Sequence, residues 1–323
     1  ASSISTLTGS ANDQATVRSS SGITGLPGSN PLSGITQIGS DIDGEAAGDS
    51  SGYSVSLSDD GTIVAIGAPH NDGNGNSSGH VSIYKNTSGT WDQIGPDFDG
   101  EAYGDLSGHS VSLSADGTIV AIGALYNDSN TNYSQKGHVR IYKNVNNNWT
   151  KIGNDIDGDS AGGKSGYSVS LSANGSIVAI GAPNNDGNGT NSGHTRIYQY
   201  ANDSWSQLGS DIDGEGHDDY IGNSIALSGD GTRLFIGEHQ WDSGLSNGIE
   251  SIDYIKNKGR VRLFENTLLY GDQSDYDAVV AERDARPTQS AYDSVVAERD
   301  ALPTQAAYDA VVVERDALPT QAA

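Results

Sequence analysis

Cysteine and methionine are both absent from the 323-residue chain. Without cysteine there is no disulfide framework, thiolate metal site or thiol nucleophile. Without methionine, Ala1 is expected to be a processing boundary. Positive charge is scarce. Only 17 Lys and Arg stand against 42 Asp and Glu, a formal net charge of −25. A field of that sign repels nucleic acid and anionic lipid, and it favours solubility and cation binding. No run of residues approaches the ~18 consecutive apolar positions of a membrane span. No secretory leader is visible, and a cleaved one leaves no trace in a mature chain.

Glycine is abundant, at 43 of 323 residues, above a typical ~7%. Many fall inside one stretch written four times. The copies are SGYSVSLSDDGTIVAIGAP from Ser51, SGHSVSLSADGTIVAIGAL from Ser107, SGYSVSLSANGSIVAIGAP from Ser165 and IGNSIALSGDGTRLFIG from Ile221. Gly52, Gly108, Gly166 and Gly222 mark steps of 56, 58 and 56 residues. A fixed period of this size signals a repeat architecture.

Each unit reads as four short strands. Ser54–Ser58 alternates polar and apolar, the mark of a strand with one buried face. Asp59-Asp60-Gly61 is a tight turn. Thr62–Ala68 is nearly all apolar and β-branched, so it is expected at the centre of a sheet. After the Asn71–Gly79 loop, His80–Tyr84 alternates again and Thr90–Gly95 ends the unit. Four strands in about 50 residues favour propeller blades. The prediction is an all-β, four-bladed propeller over residues 35–271.

The repeat's phase predicts ring closure. Trp91, Trp149 and Trp205 each head a fourth strand, and the last unit has none. An unpaired ITQIG, Ile35–Gly39, precedes the first unit and matches the ends of those strands. It is expected to complete the last blade and remove an open sheet edge. Residues 1–34 read as a Ser/Thr/Gly-rich arm that orders only against a partner. Residues 272–323 hold three 16-residue units around Tyr276, Tyr292 and Tyr308, each ending at a proline. They predict a tail of short helices that must pack on something. The pattern still runs at Ala323, so the natural chain is expected to continue.

The run GYSVSLSxDGTIVAIGAP resembles FG-GAP repeats, the blade units of integrin-α-type propellers. Gly67-Ala68-Pro69 and Gly181-Ala182-Pro183 match that family's strand ending; Gly123-Ala124-Leu125 and Gly237-Glu238-His239 depart from it. The resemblance implies an extracellular adhesion or scaffolding propeller, often calcium-bound. The family's calcium loop between the first two strands is missing. Only the Asp59–Gly61 turn and its equivalents, Ser114–Thr118, Ser172–Ser176 and Ser228–Thr232, stand there. They are too short for a cage of six to eight oxygens. The tail resembles tandem helical repeats of secreted bacterial proteins.

Four acidic loops between units are the candidate cation sites. Their carboxylates are Asp41, Asp43, Glu45 and Asp49; Asp97, Asp99, Glu101 and Asp105; Asp155, Asp157 and Asp159; and Asp211, Asp213, Glu215 and Asp219. Carboxylates at loop positions 1, 3, 5 and 9, with glycine at 4, suit Ca²⁺. The alternative is an acidic turn, since position 2 is always apolar: Ile42, Phe98, Ile156 and Ile212. Asn71–Gly75 and Asn185–Gly189 offer further oxygens but read better as loops. His80, His138 and His194 open the third strands, on separate blades and too far apart for one metal; Arg260 replaces them in the last unit. The S-x-D-G-T turns resemble the Asp boxes of sialidases at a different spacing, and those boxes are structural turns. Eight Asn-x-Ser/Thr sequons occur, at Asn76, Asn86, Asn127, Asn132, Asn148, Asn174, Asn188 and Asn202. They matter only in a host that glycosylates secreted proteins.

Every conspicuous group is repeated, whereas an enzyme needs one place where different residues converge. The expected function is therefore non-enzymatic. It is a secreted or cell-surface adhesion or structural protein, with protein, glycan or its own copies as partners and Ca²⁺ as the expected cofactor. The rivals are a filament or sheath subunit joined through the arm or tail, and an enzyme acting on polysaccharide in the propeller channel.

Overall fold

The computed structural model describes residues 36–128, 134–241 and 258–269. They form four antiparallel sheets, one per repeat, arranged as a four-bladed β-propeller. Blade 1 contains β1 (Ser54–Leu57), β2 (Ile63–Ala68), β3 (His80–Thr87), β4 (Thr90–Gln93) and the short β5 (Phe98–Asp99). Blade 2 repeats the set as β6 (Ser107–Leu113), β7 (Ile119–Ala124), β8 (His138–Val145), β9 (Asn148–Lys151) and β10 (Ile156–Asp157). Blade 3 has β11 (Ser168–Leu171), β12 (Ile177–Ala182), β13 (His194–Ala201) and β14 (Ser204–Asp213). Blade 4 has β15 (Ser224–Leu227), β16 (Arg233–Glu238) and β17 (Arg260–Glu265).

The β-branched run lies in the middle of each sheet, as its composition requires. Every residue of β7 and β12 is buried. The turn before it is built by side chains. Ser58 Oγ donates to Asp60 Oδ1 at 2.7 Å, and the Thr62 amide donates to the same oxygen at 2.9 Å. Asp116, Asn174 and Asp230 repeat the arrangement. The expected tight turn is present at these four positions.

Successive blades meet face to face. The front of blade 1 (Ala65, Val81, Ile83, Ile94 and Phe98) packs on the rear of blade 2 (Val111, Leu113, Val120 and Ile122). The same two faces meet between blades 2 and 3 and between blades 3 and 4. Burying side chains such as Val111 and Leu113 contributes about 1.5–3 kcal/mol each. Polar contacts set the register of each seam. Ser54 Oγ donates to the Gly108 carbonyl at 2.7 Å, and the Leu113 amide donates to Ser56 Oγ at 2.9 Å. A line of backbone bonds runs through the turns of all four blades, from Asp59 to Ala115, Ala115 to Ala173 and Ala173 to Gly229.

The two end faces differ from the internal ones. Val55 and Leu57 are 64% and 56% exposed, whereas Val111 and Leu113 are 9% and 7% exposed. At the other end Phe235, Val261 and Leu263 are 48–68% exposed. Ala226 replaces the seam serine there, and Phe235 replaces Ala65, Ala121 and Ala179.

The expected closing strand is corrected. Residues 36–39 form no strand, and the last sheet has three strands among the described residues. The Ile38 carbonyl accepts the Trp91 indole N–H at 3.0 Å. Trp149 and Trp205 hold Ile94 and Ile152 in the same way, at 2.9 Å each. The segment thus sits where the end of a preceding blade would sit, held by blade 1. Ile35, the arm and the helical tail lie outside the described residues. Among those residues the only helical element is a 3₁₀ turn at Thr267–Leu269.

Candidate functional site: charge clusters between the acidic loops

The acidic loops begin as strands. Phe98 and Ile156 point inward, at 8% and 7% exposure. Position 3 of the loop pairs on the ladder with the histidine that opens the third strand: Asp99 with His80, Asp157 with His138 and Asp213 with His194. Asp43 is exposed. Position 9 folds back on its own turn. Asp105 Oδ2 accepts the Ala102 amide at 2.9 Å, and Asp219 Oδ2 accepts the Gly216 amide at 2.8 Å. Asp49 accepts Asn71 Nδ2 at 2.9 Å.

Positions 1 and 5 do something else. Position 5 of one loop and position 1 of the next converge on a buried histidine. The groups are Glu45, His80 and Asp97; Glu101, His138 and Asp155; and Asp159, His194 and Asp211. In each, one ligand atom per residue lies within 4.8 Å of the others. Each histidine lies on its own blade, and its carboxylate neighbours come from two loops. Among the described residues, these groups bring carboxylates of successive loops together.

A cation already stands in the second and third clusters. Arg140 bridges Glu101 and Asp155, and Lys151 reaches Asp155 at 2.5 Å. Arg196 bridges Asp159 and Asp211, each at 2.6 Å. In blade 4, Arg260 takes the histidine's place. It pairs with Glu215 at 3.0 Å and with the fully buried Glu238 at 2.7 Å, while Arg262 reaches Glu238 at 3.3 Å. Blade 1 has Ser82 at the arginine position. Its hydroxyl donates to Asp97 at 2.5 Å, and Gln93 Nε2 donates to the same oxygen at 2.8 Å.

Sequence reading flagged the carboxylates and histidines but missed Arg140, Arg196, Arg262 and Ser82. The signal was present two residues after the strand-opening position, in HVS, HVR, HTR and RVR.

Protonation follows this layout. The Arg196 guanidinium holds the Asp211 carboxyl down at about 2, and Arg196 itself is raised, chiefly by Asp211. Burial lowers His138 and His194 from the usual imidazole range. Partial burial raises Asp99, with Asp97 and Glu45 adding to it. Tyr84 is raised by burial and then by Asp97 and Glu45, whereas Arg140 and Arg196 oppose the rise at Tyr142 and Tyr198. Blade 1 thus differs from blades 2 and 3 in having no arginine between its two cluster carboxylates.

These directions define an acid profile. A histidine held below its unfolded value of ~6.5 binds its proton more readily when unfolded, so stability falls as pH drops through about 6.5. Asp211, and Asp60 and Asp230, held down first by the Ser58 and Ser228 hydroxyls, give stability that is full above their unfolded value. It is lost as pH falls from ~4 toward 2. Asp105, raised by burial, offsets a part. Melting temperature is expected to decline in two stages, below about pH 6.5 and again below about pH 4. Calorimetric scans from pH 8 to 2.5 that show one stage near pH 4 alone exclude the histidine contribution.

Two surface clefts adjoin the clusters. One, of about 300 Å³, lies between Asp41, Asp43, Tyr84 and Trp91. The other, of about 280 Å³, repeats it with Asp155, Asp157, Tyr198 and Trp205.

Fold and clusters together define a propeller of repeated blades with charge clusters recurring at each junction. Residues 42–84 match the FG-GAP repeat family. No curated protein matches the chain. Solved structures similar in arrangement include the hydrazine synthase of Kuenenia stuttgartiensis, at 12% identity and a TM-score of 0.39, covering 71% of this chain. This chain spans 53% of that one. A 6-phosphogluconolactonase assigned in Bacteroides uniformis aligns at 13% identity and a TM-score of 0.33, covering 65% of this chain and 71% of the other. Likenesses this distant carry no functional argument.

Proposed function

We propose that the chain is a non-enzymatic adhesion and structural propeller acting outside the cell or at its surface, and that it joins copies of itself through its two end blades. The carrying observation is the pair of exposed apolar end faces. Three internal seams join a front face to a rear face. The rear of blade 1 keeps Val55 and Leu57, the valine and leucine buried in the next two copies, and the front of blade 4 presents Phe235, Val261 and Leu263. Exposed apolar patches of this kind mark interaction sites. A front-to-rear contact between copies is heterologous and builds rings or open filaments.

The FG-GAP match over residues 42–84 supports an extracellular setting. The non-catalytic reading rests on repetition, since each charge cluster is built from the same positions of its repeat. The Trp91 and Trp205 clefts pair an aromatic ring with carboxylates, which suits sugar surfaces as adhesion partners.

Analytical ultracentrifugation and negative-stain microscopy test the assembly. Mass is expected to rise with concentration, and Leu57→Glu or Leu263→Glu alone is expected to return the protein to a monomer. A wild type that stays monomeric at all concentrations removes self-assembly. A glycan array showing turnover would overturn the non-enzymatic reading.

A further inference from the structure

We propose that Glu45, His80 and Asp97 hold one divalent transition-metal cation, in the place that an arginine occupies in the following blades. The argument is a comparison of equivalent positions. Each cluster brings two carboxylates to a buried histidine. In blades 2 and 3 the charges are balanced by Arg140 and Arg196. In blade 1 the equivalent residue is Ser82, which is buried and neutral, and Gln93 stands where Lys151 stands in blade 2. Two carboxylates therefore face each other with no side-chain cation between them among the described residues. Glu45 is largely exposed and Asp97 half-buried, so the place that a guanidinium fills in the following blades is open to a cation from solution.

His80 points to the kind of cation. It is 5% exposed, and its Nδ1 stands 4.0 Å from Glu45 Oε2, beyond hydrogen-bond distance. No hydrogen bond to its ring is made by any described residue. A buried imidazole that faces two carboxylates is a ready nitrogen ligand. Nitrogen with carboxylate oxygen suits Zn²⁺ and its neighbours, whereas Ca²⁺ takes oxygen alone. Tetrahedral ligands about 2.0–2.2 Å from a zinc stand roughly 3.4 Å apart. The three atoms, now within 4.8 Å, need to close by about an ångström. Glu45 can supply the movement because its side chain is 63% exposed. Its other partner is the Asn71 amide, at 3.3 Å. Asp97 keeps Ser82 and Gln93 as donors to Oδ1 and has Oδ2 for the metal.

The test is calorimetric titration of the full chain with zinc chloride, with calcium chloride as comparison. One equivalent of zinc is expected to bind and to raise the melting temperature. Ser82→Arg is expected to weaken binding at least tenfold while the fold persists, because it rebuilds the blade 2 cluster in blade 1. Arg140→Ser combined with Lys151→Gln, which recreates the blade 1 residues in blade 2, is expected to raise the stoichiometry to two. X-ray absorption of the zinc-loaded wild type is expected to show nitrogen in the coordination sphere, a readout independent of any variant. Absence of stoichiometric zinc uptake overturns the proposal. So does uptake that Ser82→Arg and His80→Gln both leave unchanged, or an all-oxygen coordination sphere.

Discussion

Gly123→Ala is expected to open the seam between blades 2 and 3. A Cβ at Gly123 would run into the carbonyl of Gly166 and the hydroxyl of Ser110. The carbonyl belongs to backbone that is itself fixed, because Gly166 holds a φ of 82° and Ser110 Oγ donates to it at 2.8 Å. The Ser110 hydroxyl can rotate away, but the carbonyl cannot retreat without parting the sheets. Overpacking of this kind costs about 1–3 kcal/mol. In a repeat array that cost falls on one nearest-neighbour interface. A single melting transition is therefore expected to split in two, with the lower one reduced by about 3–10 °C. Gly237→Ala is the control. It occupies the same place in blade 4, but its Cβ would meet only Ser224 of its own blade. A similar loss from both substitutions would mean that the damage is local to the strand and that the seam is not the cause.

Arg196→Met is expected to have the second large effect. The guanidinium side chain is 15% exposed and serves Asp159 and Asp211 together. Removing one partner of a buried pair costs about 3–5 kcal/mol. Asp159 is 47% exposed and Asp211 28%, so water recovers part of that. A loss of about 2 kcal/mol remains after this discount for screening. The sharper readout is the Asp211 carboxyl. It is held at about 2, first by its bond to Arg196. In Arg196→Met it is expected to rise toward the ordinary carboxylate range, seen by NMR titration. An Asp211 carboxyl that still titrates near 2 would assign its shift to Gln207 instead, which donates to it at 2.7 Å.

The blades were legible because their causes are local. The alternation in SVSL marks one buried face, and Val111 and Leu113 are indeed the buried pair in blade 2. The IVAIGA run is apolar on both sides, and β7 is buried throughout. The Ser-x-Asp-Gly turns were readable as turns because their bonds span five residues or fewer.

The candidate site was only half legible. Its carboxylates stood out as a repeated pattern, but their partners are far away in the chain. Asp159 meets Arg196 37 residues on, and Glu45 meets His80 35 residues on. A loop read alone offers four carboxylates to one ion. In the folded blade, position 9 turns back to the loop's own amides, position 3 joins the ladder, and positions 1 and 5 face different histidines.

Repetition of short-range chemistry therefore settles the first three strands of each blade and the turns between them, since these depend on contacts within one unit, whereas the number of outer strands varies from blade to blade. Three features belong to the tertiary structure. These are the exposed faces of the two end blades, the capture of Ile38 by Trp91 where a closing strand was expected, and the convergence of two loops on one histidine. All three depend on which blade stands beside which. Val55 and Val111 occupy equivalent places in their repeats, and one is exposed and the other buried because only the second has a blade packed against it.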